Sequence, residues 1–143
     1  QMCIRDRSET GLLPDFIWVE KSGARVADAN TIESQYDGAY SYNACRLPYH
    51  LAQSRDERSQ KIVQKMMTFF MKEKRIYAGY DLQGHALNQY QAGSFLAPIT
   101  YAANTVEGNL KLLQQNKYIF TQDLPLDNYY DATMITMIAL ELF

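Results

Sequence analysis

"SRDERSQKIVQKMMTFFMKEKR", residues 54–75, sets the class of the fold. Ile62, Met66, Phe69 and Phe70 recur at spacings of three and four, with Lys and Glu opposite, which predicts an amphipathic helix over this run. Its Met and Phe side chains are core fillers rather than a cofactor box. Upstream, "SYNACRLPYHLAQS" predicts a helix from about Ser41, bent or delayed by Pro48. Residues 11–30 carry Gly, Pro and Asn punctuation around an apolar cluster and read as loop with a short extended piece. Downstream, "IYAGYDLQG" reads as a hairpin-like excursion closing on Gly84. "ALNQYQAGSFLAPITYAANT" reads as a helix interrupted by Pro98, and Asn109 to Tyr118 as a short helix. "DNYYDATMITMIALELF" predicts a last helix with an Asp or Asn cap and Met134, Ile138 and Leu142 on one face. The expectation is all-α, with four or five helices joined by aromatic-rich loops.

The chain of 143 residues fits one domain with a moderate core. Its net charge is −2 and it has no basic run, so the phosphate-neutralising surface of a nucleic-acid binder is missing. No apolar run approaches a membrane span, and no membrane partner is expected. His50 and His85 are far apart with no Cys-rich spacing beside them, which predicts neither a metal site nor a cofactor. Glycine-rich phosphate loops, GxSxG elbows and HExxH helices are absent from the sequence. The distinctive feature is eleven Tyr against one Trp. Tyrosine joins a flat apolar face to a hydroxyl, which suits either contact with sugars or the edge of a helical core.

The opening residues "QMCIRD" read as translated nucleic acid of another origin. Back-translation yields CAG ATG TGT ATA AGA GAC, which resembles a transposon-end adapter from sequencing libraries. Residues 1–7 are therefore assigned to adapter, and the gene fragment is read from residue 8 to 143. On that reading Cys45 is the one cysteine that counts. The apolar face of the last helix stands unfinished at Phe143.

Five segments, "GLLPDF", "YDGAYSYNACRLP", "YAGYDLQG", "YQAGSFLAPI" and "NYYDATMITMIALEL", together resemble, in order, the C-terminal part of glycoside hydrolase family 8. The resemblance runs from about Gly11 to the end. It implies the C-terminal portion of an (α/α)6 barrel, a polysaccharide substrate, secretion, and hydrolysis with inversion at the anomeric carbon; residues 8–143 would then be a partial catalytic domain, alone poorly soluble or molten and inactive. Inversion needs one carboxylic acid to protonate the leaving oxygen and a second carboxylate, roughly 6.5–9.5 Å away, to activate water. The family's acid is a Glu near its N-terminal end, and no such segment is present here.

The resemblance also gives a role to "ESQYDGAYSYNACR", residues 33–46, which gathers two carboxylates, three tyrosines, an asparagine and an arginine. In much of the family the base is an Asp in a "YDAxRxP" motif, and here "YNACRLP" puts Asn43 at that position. A subgroup rich in chitosanases and lichenases has Asn there and a Glu about ten residues upstream as base; Glu33 stands ten residues before Asn43. The resemblance thus implies Glu33 as base, Asn43 holding the attacking water and Arg46 orienting a carboxylate or Asn43. Asp37, Tyr36 and Tyr42 would bind sugar hydroxyls or position the base. Tyr129 and Tyr130 match a paired-Tyr motif near the family's groove, and Trp18 and Phe16 offer stacking faces. After Pro48 the family often continues with Trp and Arg, whereas Tyr49 and His50 follow here.

Read without the resemblance, Glu33 is a solvated loop carboxylate and Arg46 a surface ion-pair partner. Two other classes stay open, a carbohydrate-binding pseudoenzyme and a helical protein-interaction domain, although the chain shows no internal repeat. Asp28, Glu33 and Asp37 would make an acidic groove suited to chitosan. Mixed-linkage β-glucan and cellulose are comparable candidates, and oligomeric state is not legible.

Overall fold

The computed structural model describes residues 8–143, so the adapter assignment for residues 1–7 lies outside the described residues. In chain order the elements are strands β1 (Ile17–Glu20) and β2 (Gly23–Val26), a 3-10 turn (Ala44–Arg46), and helices α1 (Leu47–Gln53) and α2 (Glu57–Phe70). Helices α3 (Gly93–Thr105) and α4 (Leu110–Asn116), a second 3-10 turn (Lys117–Phe120) and helix α5 (Tyr129–Leu142) follow.

Helix α3 is the axis of the core. It packs against α1, α2, α4 and α5, and Phe95, Leu96, Ala97, Ile99, Ala102 and Ala103 are all buried. A helix apolar nearly all round must be enclosed, and each large side chain withdrawn from water contributes roughly 1.5–3 kcal/mol. The helix begins at Gly93, later than the expected residue 86, and runs through Pro98 without a break. Proline costs an interior helix bond and crowds the preceding turn, but enclosure by four neighbouring helices holds this one together.

The start of α3 is set from outside its own sequence. Ala92 at its N-cap makes no side-chain bond. Instead the buried carboxylate of Asp131, in the first turn of α5, accepts from the N–H groups of Gly93 (2.9 Å) and Ser94 (3.0 Å). A Cβ on Gly93 would lie 2.5 Å from Ile135 Cδ1, so glycine lets α5 come this close without displacing the buried Ile135 side chain. Asp131 is itself seated by the Asn128 side chain, which accepts from its N–H at 3.1 Å.

The other helices follow their local signals. Asp56 caps α2 by accepting from Ser59 N–H at 2.9 Å. The buried stripe of α2 is Val63, Met66, Met67 and Phe70, with Ile62 and Phe69 half-buried beside it. Pro48 lies in the first turn of α1, where its missing N–H is harmless, and so delays that helix. Aromatic rings tie α2 and α3 to the loops, with Tyr40 against Phe70 and Phe95, and Tyr80 against Phe69 and Phe70. Tyr40 and Tyr80 exchange backbone hydrogen bonds at 2.9 Å, and Tyr80 also bridges to Ala86.

The all-α expectation, and with it the (α/α)6 barrel, is corrected. Over the described residues the fold is mixed, with an antiparallel pair β1–β2 in the register Ile17↔Val26 to Glu20↔Gly23 beside five helices. Two of those helices are only seven residues long, and the helices gather around α3. The extended piece expected within residues 11–30 is there, but its pairing into β1–β2 escapes sequence reading, because Ile17, Trp18, Val19 and Glu20 are all exposed, which erases the alternation that marks a half-buried strand. Among the described residues no helix is long and apolar enough to cross a membrane.

Replacing Asp131 by Ala should strand two buried N–H groups and lower stability by about 2–4 kcal/mol. Gly93→Ala should cost about 1–3 kcal/mol through overpacking. Chemical denaturation reads both, and a loss below 0.5 kcal/mol for Asp131→Ala, the ordinary range for surface changes, would show that the cap does not matter.

Candidate functional site

Two carboxylates decide how residues 30–46 are shaped. Asp15 Oδ1 accepts from the N–H groups of Ser41 (2.9 Å) and Ala44 (2.7 Å), pinning the turn that carries Asn43. Burial pushes the Asp15 carboxyl up, partly offset by the N–H groups of Ala44, Ser41 and Asn43 and by the Asn43 side chain. The stretch 15–16 also runs beside 37–39, with Asp15 N–H on Ala39 C=O (2.7 Å) and Phe16 N–H on Asp37 C=O (3.0 Å).

Asp37 holds the loop before it. Its Oδ2 accepts from Ile32 N–H at 2.6 Å, its Oδ1 from Ser34 N–H at 2.8 Å, and both oxygens share Glu33 N–H at 3.2 Å. Burial raises the Asp37 carboxyl, but the N–H groups of Ile32, Ser34 and Glu33 outweigh it and hold the group below the usual carboxylate range. Next to it, a Cβ on Gly38 would lie 2.5 Å from the Ala27 carbonyl oxygen, so glycine lets the loop lie against the end of β2.

These two anchors bring Glu33 to Asn43. Asn43 Nδ2–H donates to Glu33 Oε2 at 2.9 Å, across ten residues of sequence, and Glu33 is exposed. Arg46 lies beside the pair, but its Nε–H donates to the Asn43 backbone carbonyl at 3.4 Å rather than to a carboxylate. Tyr42 is partly exposed, edge-on to Phe95 at 5.1 Å between ring centres, with its hydroxyl 3.2 Å from that of Tyr90. Behind it the Tyr130 hydroxyl donates to Tyr42 C=O at 3.4 Å and the Cys45 thiol to the same oxygen at 3.1 Å. Burial pushes the Cys45 thiol up to about 12 and the Tyr130 hydroxyl up to about 12.

Glu33, Asn43, Arg46, Tyr42 and Tyr130 therefore form one neighbourhood, with Tyr36 half-buried on the Asp37 loop. Asp37 is 1% exposed with both oxygens engaged by backbone, so it does not face a ligand. Tyr129, 82% exposed at the start of α5, has no bond to this group. Trp18 stands on β1 under the Arg25 guanidinium, 5.8 Å from its ring centre, and Phe16 is half-buried behind it in sequence. Asp28 is paired with Arg25 at 3.2 Å. Of the three acids expected to line an acidic groove, only Glu33 is left without a cation or backbone cage.

Sequence reasoning missed Asp15 and Tyr90. Asp15 lies inside the quoted "GLLPDF", yet nothing local reveals that it reaches 26 and 29 residues ahead to bind Ser41 and Ala44. Tyr90 stands 48 residues from the tyrosine it meets. Among the described residues, no group of three or more His, Cys, Asp and Glu could hold a metal ion.

No protein-family model matches the chain. It is 32% identical over 136 residues to a β-glucanase of Niallia circulans, an alignment covering 89% of this chain and 33% of that protein. The chain thus spans about a third of the length of the curated relative it matches. Its fold is that of a β-1,3-1,4-glucanase from Paenibacillus sp. X4 in the apo state, with a TM-score of 0.88, 24% identity, and coverage of 98% of this chain and 39% of the other. The sequence match shows homology to a β-glucanase, and the structural match shows the shared fold.

The Asp37 cage should respond to acid in a defined direction. A carboxyl depressed on folding contributes stability that is fully present above its unfolded value and lost as pH falls through its folded value. The amides of Ile32, Glu33 and Ser34 should therefore stay protected from hydrogen exchange at pH 5 and lose protection only below the ordinary value of 3.8. Loss of protection near pH 5 would mean that the cage is not held by the ionised carboxylate.

Proposed function

We propose that the chain carries the base half of the catalytic pair of an endo-acting β-glucan hydrolase that works with inversion. The observation that carries this reading is the contact of Asn43 Nδ2 with Glu33 Oε2 at 2.9 Å in an exposed setting. A water lying against both groups would be oriented by the amide while Glu33 takes its proton. The likeness to a β-glucanase supports β-glucan as the polymer, with the mixed 1,3-1,4-linked form as the first substrate to test.

In this proposal the acid that protonates the leaving oxygen comes from the remainder of a longer protein, and the chain alone is inactive. That fits an alignment covering only 33% of the β-glucanase. Tyr42 and Tyr130 flank the pair and are assigned to sugar contact, whereas Arg46 steadies the backbone of Asn43. Chitosan loses its main support as a ligand of a three-acid groove, because Asp28 pairs with an Arg25 that it shares with Glu20, and the oxygens of Asp37 are turned to backbone N–H groups.

In the full-length protein, Glu33→Gln should lower kcat on mixed-linkage β-glucan by about 10²–10⁴-fold with little change in KM. NMR of the first product formed should show the α-anomer from a β-linked polymer. Wild-type activity in Glu33→Gln would remove Glu33 from the role of base, and a β-anomeric first product would exclude inversion.

A further inference from the structure

We infer that Asp37 is a positioning residue for Glu33, holding the backbone of the base rather than touching substrate. The inference rests on the reading of Glu33 as base. Its geometric ground is independent of that reading. One buried carboxylate collects three consecutive N–H groups, those of Ile32, Glu33 and Ser34, with the Glu33 amide at its centre.

The loop has little else to hold it in place. Ile32 is 54% exposed, and Thr31 and Gln35 are exposed as well, so no apolar packing fixes residues 31–35. The further bonds are local, with Asn30 N–H on Ser34 C=O at 2.8 Å, Tyr36 N–H on Ser34 Oγ at 3.1 Å and the Thr31 hydroxyl on Asp28 C=O at 2.7 Å. They shape the turn, and beyond them the loop reaches the body through the Glu33 side chain itself, which accepts from Asn43, and through Asp37. Asp37 is anchored in turn, its carbonyl accepting from Phe16 N–H at 3.0 Å and its neighbour Gly38 lying against Ala27. The carboxylate therefore links an exposed catalytic side chain to the frame that also carries Asn43.

Displacement of a reacting group by about 1 Å can cost about 10²-fold in rate. Asp37→Asn keeps the size of the side chain but replaces one acceptor oxygen with an amine that points donors at N–H groups. The expected result in the full-length protein is a fall in kcat on mixed-linkage β-glucan of about 10²-fold, with KM changed by less than about threefold.

The decisive experiment is a double-mutant cycle with Glu33→Gln, accompanied by hydrogen exchange. If Asp37 acts through Glu33, adding Asp37→Asn to Glu33→Gln should lower the residual rate by less than about threefold, because the residue being positioned no longer works. A full 10²-fold loss in both backgrounds would overturn the inference and make Asp37 merely structural. Hydrogen exchange in Asp37→Asn should speed up at residues 32–34 while the α2 and α3 amides keep their protection. Unchanged exchange at 32–34 would also overturn it, and exchange rising everywhere would show a folding defect and count against a specific role. Full activity in Glu33→Gln together with freed 32–34 amides would leave the cage standing and remove the base it was meant to place, which sinks the positioning role through the failure of the base reading.

Discussion

The carboxylate of Asp131 on the first two N–H groups of α3 is the constraint from which the rest of the structure follows. Helix α3 touches four other helices and has no capping side chain of its own, so its starting point and its angle to α5 are both set by this one residue. A buried carboxylate would be costly without partners. Here the partners are N–H groups that would themselves be orphaned at a helix start, and each need meets the other. Gly93 makes the approach sterically possible. From α3 the order passes to Phe95, then to the rings of Tyr40 and Tyr42, and so to the stretch that carries Asn43.

The same device recurs twice nearer the surface. Asp15 gathers the N–H groups of Ser41 and Ala44, and Asp37 those of Ile32, Glu33 and Ser34. Loops that carry function need definite shapes without a core of their own. A carboxylate accepting several backbone N–H bonds provides shape at a single point, since charge-assisted hydrogen bonds are short and strong. The two cages balance burial differently. Burial prevails at Asp15, whose carboxyl is raised, while N–H donation prevails at Asp37, whose carboxyl is lowered.

How much of this could be read from the sequence depends on how local the cause is. The α2 helix was legible because its apolar residues repeat at helical spacing, although the stripe centres on Val63 and Met67 rather than on Ile62 and Phe69. The start of α3 was not legible, because its cap lies 37 and 38 residues downstream. Of the β1–β2 pair only an extended piece was legible, for the opposite reason, since β1 is exposed on both faces and carries no alternation. Within the site, Glu33 and Asn43 were paired by a motif and stand 2.9 Å apart, whereas Glu33 and Asp37 look interchangeable as letters. Only the fold separates an exposed carboxylate from one whose oxygens are fully engaged.

That separation bears on why an amide occupies position 43. The Asn43 side chain offers two N–H bonds; one goes to Glu33, and the same group also favours the ionised form of the half-buried Asp15. A carboxylate at 43 would stand between two others, and like charges at such range raise one another's pKa. With an amide there, position 43 donates to the Glu33 side chain and also favours the ionised form of Asp15, so one residue serves both carboxylates. The amide thus ties the turn over Asp15 to the loop that Asp37 shapes, a single arrangement of donor and acceptors. It requires three features together, namely Asp15 under the turn, Asp37 under the loop and Gly38 against Ala27.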